Sequence, residues 1–314
     1  MAARTMAIIT LALCLCLVCV PCAGAVSTAD ALAPISEDAA CSLTLTYGCN
    51  GLVFPDLPVK LYRVATVSAD ARYTLTPAFL PSGLELNGIQ TNGEWDVIRT
   101  SLETHILANS IAPNSTALTD AHGQAVFAGL DPGMYLAAAV YAEQSGWEYD
   151  FRAALVAVPG LDETGCWQYD VTVVPKPEIL PPTESQELQY QVLKLWKDEG
   201  NEEKRPSTIE VELFRNGESQ KTVILSEENN WCYRWTAAAD GAHWQVVERN
   251  IPAGYVLTVE NRTTTIILTN SIPTDSPDAP PTGETSNIFL AVVLLSLSVA
   301  GLIALGLCRK RYGL

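Results

Sequence analysis

The 314-residue chain carries 19 Lys and Arg against 35 Asp and Glu, a formal net charge of −16. Such an acidic surface argues against a nucleic-acid partner, because phosphate backbones carry the same charge. Of the nine cysteines, four lie within residues 1–25 and Cys308 lies in the apolar run near the other end. The remaining four have neither the CxxC spacing of a zinc site nor the density of a disulfide scaffold: Cys41, Cys49, Cys166 and Cys232. The three histidines are scattered and no HExxH, GxSxG or phosphate-binding glycine motif occurs, so the sequence predicts no metal, no cofactor and no external substrate.

The amino-terminal segment has the order of parts expected of a secretory signal peptide. Arg4 precedes an apolar run at residues 6–20, and Ala23-Gly24-Ala25 supplies small residues for a cleavage site. We therefore expect residues 1–25 to be removed during export. Residues 26–40 are rich in Ala, Ser and Asp, a composition that predicts disorder.

Residues 41–176 are predicted to form a first, mainly β domain. Polar and apolar side chains alternate at residues 42–47, and residues 58–65 continue as a second strand. Turn and strand patterns at residues 119–136 and a strand at residues 167–174 complete the domain. One helix is predicted at residues 94–109, where apolar side chains recur at helical spacing: Trp95, Ile98, Leu102, Ile106 and Leu107.

The prolines of residues 177–186 predict a stiff linker, which leads to a second β-rich domain at residues 187–272. Short polar turns separate its predicted strands, a pattern typical of an antiparallel sandwich. The strands are predicted at residues 190–196, 209–215, 221–225, 231–235, 244–248 and 264–270.

Three polar residues of the second domain occupy the apolar faces of their strands: Lys194, Glu248 and Asn270. Because successive side chains of a strand point to opposite faces, all three are expected to point into the core. An unpaired ionised group there costs several kcal/mol, so the three side chains must meet or neutralise one another.

The second domain resembles the collagen-adhesin B-type (Cna-B) domain over essentially all of residues 187–272. The resemblance implies that Lys194 and Asn270 join in a spontaneous isopeptide bond and that Glu248 promotes the reaction. Burial favours the neutral amine, and fixed geometry supplies a high effective concentration. The alternative is a buried salt bridge beside an amide. The motifs that carry the resemblance are residues 192–196, 204–206, 229–231, 244–248, 251–255 and 268–270.

The first domain resembles the same superfamily, and the fold implied is two tandem Cna-B/prealbumin-like β-sandwiches with one helix inserted in the first. It has Lys60 but no Asn at residues 167–174, so no second cross-link is expected. Cys41 and Cys166 precede its first and last strands, which are parallel neighbours in this fold. The resemblance therefore implies a disulfide between them, with Cys41–Cys49 as the competing pair.

The closing strand of the first domain also resembles the pilin motif of sortase-assembled pili. Trp167, Val171, Val173, Pro175 and Lys176 match the motif, whereas its tyrosine and asparagine are replaced. The resemblance implies that the Lys176 amine attacks the sortase-bound threonine of the next subunit. The alternative is a solvated linker lysine.

The carboxyl-terminal tail resembles the cell-wall sorting signal of Gram-positive surface proteins. After a spacer at residues 273–287 comes an uncharged apolar span at residues 288–308, long enough to cross a bilayer, and a basic tail at residues 309–314. Pro280, Thr282 and Gly283 match the sortase pentapeptide, while Ala279 replaces its leucine. Cleavage between Thr282 and Gly283 is implied; a plain membrane anchor is the alternative.

The sequence therefore predicts a cell-surface structural protein of a Gram-positive bacterium rather than an enzyme. Its expected partners are sortase, peptidoglycan and neighbouring pilin subunits, and the precursor spans the membrane before sorting. The alternative is a monomeric wall-anchored adhesin or stalk that binds a host or cell-surface ligand.

Overall fold

Strands dominate the computed structural model, which describes residues 33–139, 142–144, 146–180 and 187–273. The prediction of a mainly β chain is confirmed. The predicted signal peptide, sortase pentapeptide and apolar span lie outside the described residues. Among the described helices, none is both long enough and apolar enough to cross a bilayer.

The first domain is built from short strands around one α-helix. In chain order its elements are β1 (Cys41–Thr46), β2 (Gly48–Cys49), β3 (Leu52–Val53), β4 (Pro58–Val67), β5 (Tyr73–Leu75), a 3-10 turn (Leu80–Ser82), α1 (Asn92–Asn109), β6 (Ser115–Leu118), β7 (Gln124–Leu130), β8 (Gly133–Ala139), β9 (Ala142–Gln144), β10 (Trp147–Asp150), β11 (Ala154–Val158), β12 (Gly160–Leu161), β13 (Trp167–Gln168), β14 (Asp170–Val173) and β15 (Glu178–Leu180).

Two main sheets enclose the core of this domain. One has the strand order β14-β1-β7, and the other has the order β11-β8-β4-β5 with β6 also paired to β4. β1 is parallel to β14 and antiparallel to β7. The inward residues Leu43, Leu45, Val59 and Leu61 are fully buried in one apolar cluster between the sheets, which is the burial that drives folding.

Helix α1 starts at a capping box. The Thr91 hydroxyl accepts from the backbone N–H of Glu94, and the Glu94 carboxylate accepts from the backbone N–H of Thr91. Ile98 and Leu102 then pack against Leu136 of β8 in a second apolar cluster. The predicted helix is confirmed and begins two residues earlier, at Asn92.

Residues 33–40 are ordered against the first domain, which differs from the predicted disorder. Ile35 is buried, and the Trp167 Nε1 atom donates to the Ala33 carbonyl at 2.6 Å. The backbone N–H of Ser36 donates to the Tyr169 hydroxyl at 2.8 Å. The composition of the segment does not predict these contacts, because their partners are aromatic residues more than 130 positions away in the chain.

Two further segments of the first domain depart from the predicted pattern. The strand predicted at residues 167–174 is split, since β13 pairs with β12 and only β14 pairs with β1. The start of the predicted linker is the strand β15, which pairs antiparallel with β10. Proline fixes φ without preventing the neighbouring residues from pairing at a sheet edge.

The second domain is a two-sheet sandwich with the predicted strands and one more. Its strands are β16 (Glu187–Lys197), β17 (Thr208–Arg215), β18 (Glu218–Ser226), β19 (Cys232–Ala238), β20 (Trp244–Glu248), β21 (Val256–Arg262) and β22 (Thr265–Ser271), with 3-10 turns at Glu202–Lys204 and Glu227–Asn229. The sheet orders are β19-β16-β22-β21 and β18-β17-β20. The first strand β16 and the last strand β22 are therefore parallel neighbours, and β21 is the strand that the sequence patterns missed.

Candidate functional site

The site of interest lies between the two sheets of the second domain. β16 and β22 run side by side with Trp196 opposite Asn270. Lys194 lies two residues earlier on β16 and so shares the inward face with Trp196. Glu248 ends β20 in the facing sheet. The side chains of these elements therefore converge on one place in the core.

Lys194, Glu248 and Asn270 meet there, as expected from the strand patterns. Lys194 Nζ donates to Glu248 Oε2 at 2.9 Å, and Asn270 Nδ2 donates to Glu248 Oε1 at 2.7 Å. The three residues are 4%, 2% and 0% exposed. One carboxylate thus holds the amine with one oxygen and the amide with the other, out of contact with solvent.

Burial changes the chemistry of the amine. Desolvation lowers the pKa of Lys194 to about 8, although the neighbouring Glu248 carboxylate opposes the change. At pH 7 a pKa of about 8 leaves roughly one amine in ten neutral, far more than for a free lysine. A neutral amine has the lone pair that nucleophilic attack requires.

The amide carbonyl of Asn270 is the other unusual group. Among the described residues, its Oδ1 atom has no hydrogen-bond partner, although the residue is fully buried. A buried acceptor without a partner costs about 1–3 kcal/mol. The site therefore contains a buried carbonyl oxygen whose desolvation is not offset by a hydrogen bond.

Aromatic rings surround the amine. Lys194 Nζ lies 4.6 Å from the centre of the Trp196 ring. The Trp196 ring in turn packs edge-on against Trp231 at 5.4 Å and Tyr255 at 5.3 Å. These rings exclude water from one side of the site and fix the lysine rotamer.

A second polar cluster lies beyond Trp196, and sequence reasoning did not assign it a role. The buried Asp198 carboxylate accepts from Arg205 Nε at 2.8 Å and from the Tyr255 hydroxyl at 2.6 Å. The hydrogen bond from Arg205 is the main cause that lowers the pKa of Asp198 to about 2, and burial raises that of Tyr255 to about 12. In the sequence, Arg205 and Tyr255 belong to the Cna-B motifs at residues 204–206 and 251–255, but these motifs did not predict a contact between them and Asp198.

Residues 190–271 match the family model described as the Cna protein B-type domain. The resemblance predicted from the sequence is confirmed. We refer to residues 187–272 as the Cna-B-like domain.

A relative and two solved structures extend this comparison. The collagen adhesin of Staphylococcus aureus is 30% identical over 154 residues, which are 44% of this chain and only 13% of the adhesin. A single B repeat unit of the S. aureus collagen-binding surface protein has 17% identity and a TM-score of 0.26, covering 75% of this chain and 99% of that one. The full-length major pilin SpaD of Corynebacterium diphtheriae has 14% identity and a TM-score of 0.29, covering 76% of this chain and 65% of that one.

The pilin-motif lysine is accessible. Lys176 is exposed between β14 and β15, directly after the buried Pro175. It precedes the first strand of the second domain and takes no part in the Lys194 site. Pro280, Thr282 and Gly283 lie outside the described residues, so the structure does not relate them to Lys176.

The predicted disulfide is not formed. Cys41, Cys49, Cys166 and Cys232 are all free. Cys41 is buried at the start of β1, whereas Cys166 is exposed in the turn between β12 and β13. Because the closing strand is split, Cys166 belongs to the β12–β13 hairpin rather than to the strand beside β1.

Proposed function

We propose that the chain is a sortase-anchored structural protein of the Gram-positive cell surface, a pilin-like subunit whose Cna-B-like domain is closed by an isopeptide bond between Lys194 and Asn270. The observation that carries this proposal is the buried contact of both side chains with Glu248. The similarity to an adhesin supports a surface protein rather than an enzyme.

The atoms of the site are arranged for amide exchange. The neutral Lys194 amine attacks Cγ of Asn270, a Cγ–Nζ bond forms, the Cγ–Nδ2 bond breaks, and ammonia leaves. The proton released by Nζ must reach the departing Nδ2. Glu248 contacts both nitrogens, at 2.9 Å and 2.7 Å, and so serves as the proton carrier between them.

The alternative of a permanent salt bridge explains less. Burying an ion pair seldom stabilises a domain compared with apolar residues of the same size, because desolvation offsets the attraction. Starting from the ion pair, one proton of the lysine ammonium stays on Glu248 and another leaves with the ammonia, so that a neutral amide and a neutral carboxyl group replace the two charges.

The position of the bond suits a protein under tension. β16 opens the Cna-B-like domain and β22 closes it, and the two are parallel neighbours. A bond from Lys194 to Asn270 would join the first and last strands directly. Force that enters through β16 would leave through β22 without unfolding the strands between them.

Polymer assembly is the finer part of the proposal. Sortase would cleave after Thr282 and transfer the threonine to the exposed Lys176 of the next subunit, so that the shaft passes through each Cna-B-like domain. A monomeric wall-anchored adhesin is the second candidate, and the similarity to the S. aureus collagen adhesin favours it. A host or cell-surface ligand would then be the partner of the first domain.

Wall extracts of cells that express the chain test these alternatives. A pilin gives a ladder of high-mass bands that survives boiling in detergent, and Lys176→Ala collapses the ladder to one wall-linked species. Lys60→Ala, which removes another exposed lysine of the first domain, is the matched control and retains the ladder. Thr282→Ala moves the protein from the wall fraction to the membrane fraction. A ladder that survives Lys176→Ala would overturn the role of this lysine, and a parent without a ladder would favour the adhesin.

A further inference from the structure

Helix α1 has two buried faces. Ile98 and Leu102 point into the apolar core of the first domain. Ser101 and Thr104 are also buried, at 4% and 3% exposure, but they are polar and lie outside that cluster. A surface helix needs only one buried stripe, so the second face marks a contact with another part of the molecule.

The second face of α1 contacts the Cna-B-like domain. Ser101 Oγ accepts from the backbone N–H of Val259 in β21 at 2.8 Å, in a buried hydrogen bond. At the end of the helix, Arg249 Nη1 donates to the Ala108 carbonyl at 3.0 Å. β21 and β20 are edge strands of their sheets. The helix therefore covers the side of the sandwich where two unpaired strand edges lie together, a side that would otherwise admit water.

Glu248 lies directly beneath this helix. A small void of about 40 Å³ is lined by Glu248 from one domain and by Ser101, Thr104 and Ala108 from the other. These helix side chains are small and recur at three- and four-residue spacing, so they share one face and permit close approach. The carboxylate that contacts Lys194 and Asn270 is thus shielded by the first domain.

We propose that α1 is an in-chain lid of the cross-linking site, and that it positions Glu248 and keeps water from the Lys194 amine while the isopeptide bond forms. This inference rests on the proposed bond. It assigns to the first domain a role in a reaction whose three reacting side chains all belong to the second. Ser101 and Thr104 are positioning residues, because they touch the covered strand edges and the void rather than the reacting atoms.

The physical reason is desolvation. Burial is the main cause of the lowered pKa of Lys194. If α1 is displaced, water reaches the end of β20 and the amine becomes more basic, so that fewer molecules carry the neutral nucleophile at a given pH. The pH dependence of bond formation should therefore move with the position of the helix, whereas a purely structural effect would not move it.

The test follows bond formation in the exported chain during cell-free synthesis, with intact mass measured at timed intervals and several pH values. In the parent, the rate should rise with pH through about 8, the pKa of Lys194. Thr104→Arg places a charge in the covered face and should slow bond formation at pH 7 at least tenfold and shift the profile to higher pH. Asn92→Arg, at the exposed start of α1 and on the face turned away from Ser101, should behave like the parent.

Ser101→Ala is the milder variant if Thr104→Arg fails to fold. It deletes one hydrogen bond, and amide exchange at Val259 should speed up while bond formation slows several-fold. Unchanged rate and pH profile in either folded variant would overturn the lid, whatever the exchange data show. A parent that never loses ammonia would overturn the proposed bond itself, and with it the role of α1, so the two failures are distinguishable.

Discussion

The two domains share one arrangement of strands but place different side chains inside it. In each, the first strand lies parallel to a strand near the end of the domain: β1 beside β14, and β16 beside β22. The inward residues of β1 are the buried and uncharged Cys41, Leu43 and Leu45, whereas β16 and β22 turn Lys194 and Asn270 inward. The first domain thus shows that this strand arrangement needs no buried charge, an observation that supports the proposed bond in the second.

The domains also differ in how their ends are held. The first domain uses hydrogen bonds at its margin, such as Ser42 Oγ to Asp170 Oδ1 at 2.6 Å between β1 and β14. Exposed bonds of this kind are individually weak and exchange with water. The proposed cross-link would make the corresponding junction of the second domain covalent. Tension should therefore unfold the first domain more readily than the second.

The largest effect is expected from Glu248→Ala in the exported chain. The variant should keep the full mass and lose stability in the transition of the second domain. Two contributions add: about 3–5 kcal/mol for a buried lysine left without its partner, and about 4 kcal/mol for the lost constraint on a long loop, by analogy with a disulfide. Calorimetry of both domain transitions measures the effect.

Glu218→Ala on the exposed strand β18 is the matched control and should leave both transitions in place. A Glu248→Ala chain that still lacks one ammonia would contradict the assignment of this carboxylate.

Leu43→Ala tests the first domain in the same experiment. Leu43 is fully buried in an apolar cluster, so truncation should cost about 2–5 kcal/mol in the first-domain transition. The mass deficit of the second domain should persist. If the substitution instead destabilised only the second transition, Leu43 would not support the core of its own domain.

Asp198→Asn should have a smaller effect. It weakens the hydrogen bonds with Arg205 and Tyr255, and about 1–3 kcal/mol is expected for a buried group of this kind. The folded pKa of Asp198 is about 2, below its ordinary 3.8. Its contribution is therefore complete above about pH 4 and is lost as the pH falls through 2. Urea unfolding at pH 7 and pH 2.5 should show the difference between parent and variant shrinking at the lower pH.

The smallest effect concerns the junction between the domains. His243 Nδ1 of the second domain lies 3.5 Å from Asp150 Oδ2 of the first, with Glu103 of α1 and Arg152 nearby. Burial opposes protonation of His243, but the hydrogen bond with Asp150 prevails and raises its pKa above the ordinary 6.5. For Glu103 the cause is different: burial itself raises the pKa above 4.5, although the neighbouring Arg99 opposes the shift.

Both shifts have the same sign, because each group binds its proton more tightly when the domains are docked. Docking is therefore favoured at low pH, and the part due to His243 is lost as the pH rises from 6.5 through its folded pKa. For a partly exposed pair the effect is about 1 kcal/mol or less. Hydrogen exchange of the Val259 amide between pH 6 and 8 reports docking. His243→Gln should flatten the pH dependence of docking that this exchange measures. An unchanged pH dependence in the variant would assign it to other groups.

The sequence was most informative where a strand has a period of two. That period predicted that Lys194, Glu248 and Asn270 point inward, and the distances between them agree. It could not reveal contacts between remote segments, such as Trp167 with Ala33 or Ser101 with Val259. Small polar residues on a helix look like solvent-facing positions until a second domain is present to cover them.

Cysteines illustrate the same limit. Cys41 and Cys166 precede strands that are neighbours in the implied fold, but a split in the closing strand carries Cys166 into another hairpin. Strand pairing at residues 178–180 likewise depends on a free edge of β10, and the linker sequence alone does not predict that this edge lies nearby.

High-resolution intact mass of the full exported chain, followed by peptide mapping, decides whether the second domain is covalently closed. The mass should be about 17 Da below the sequence mass, the loss of one ammonia in amide exchange, and a branched peptide should join Lys194 to Asn270. A chain at its full sequence mass, with the two residues recovered in separate unmodified peptides, would show that the buried site is a salt bridge beside an amide and would contradict the bond.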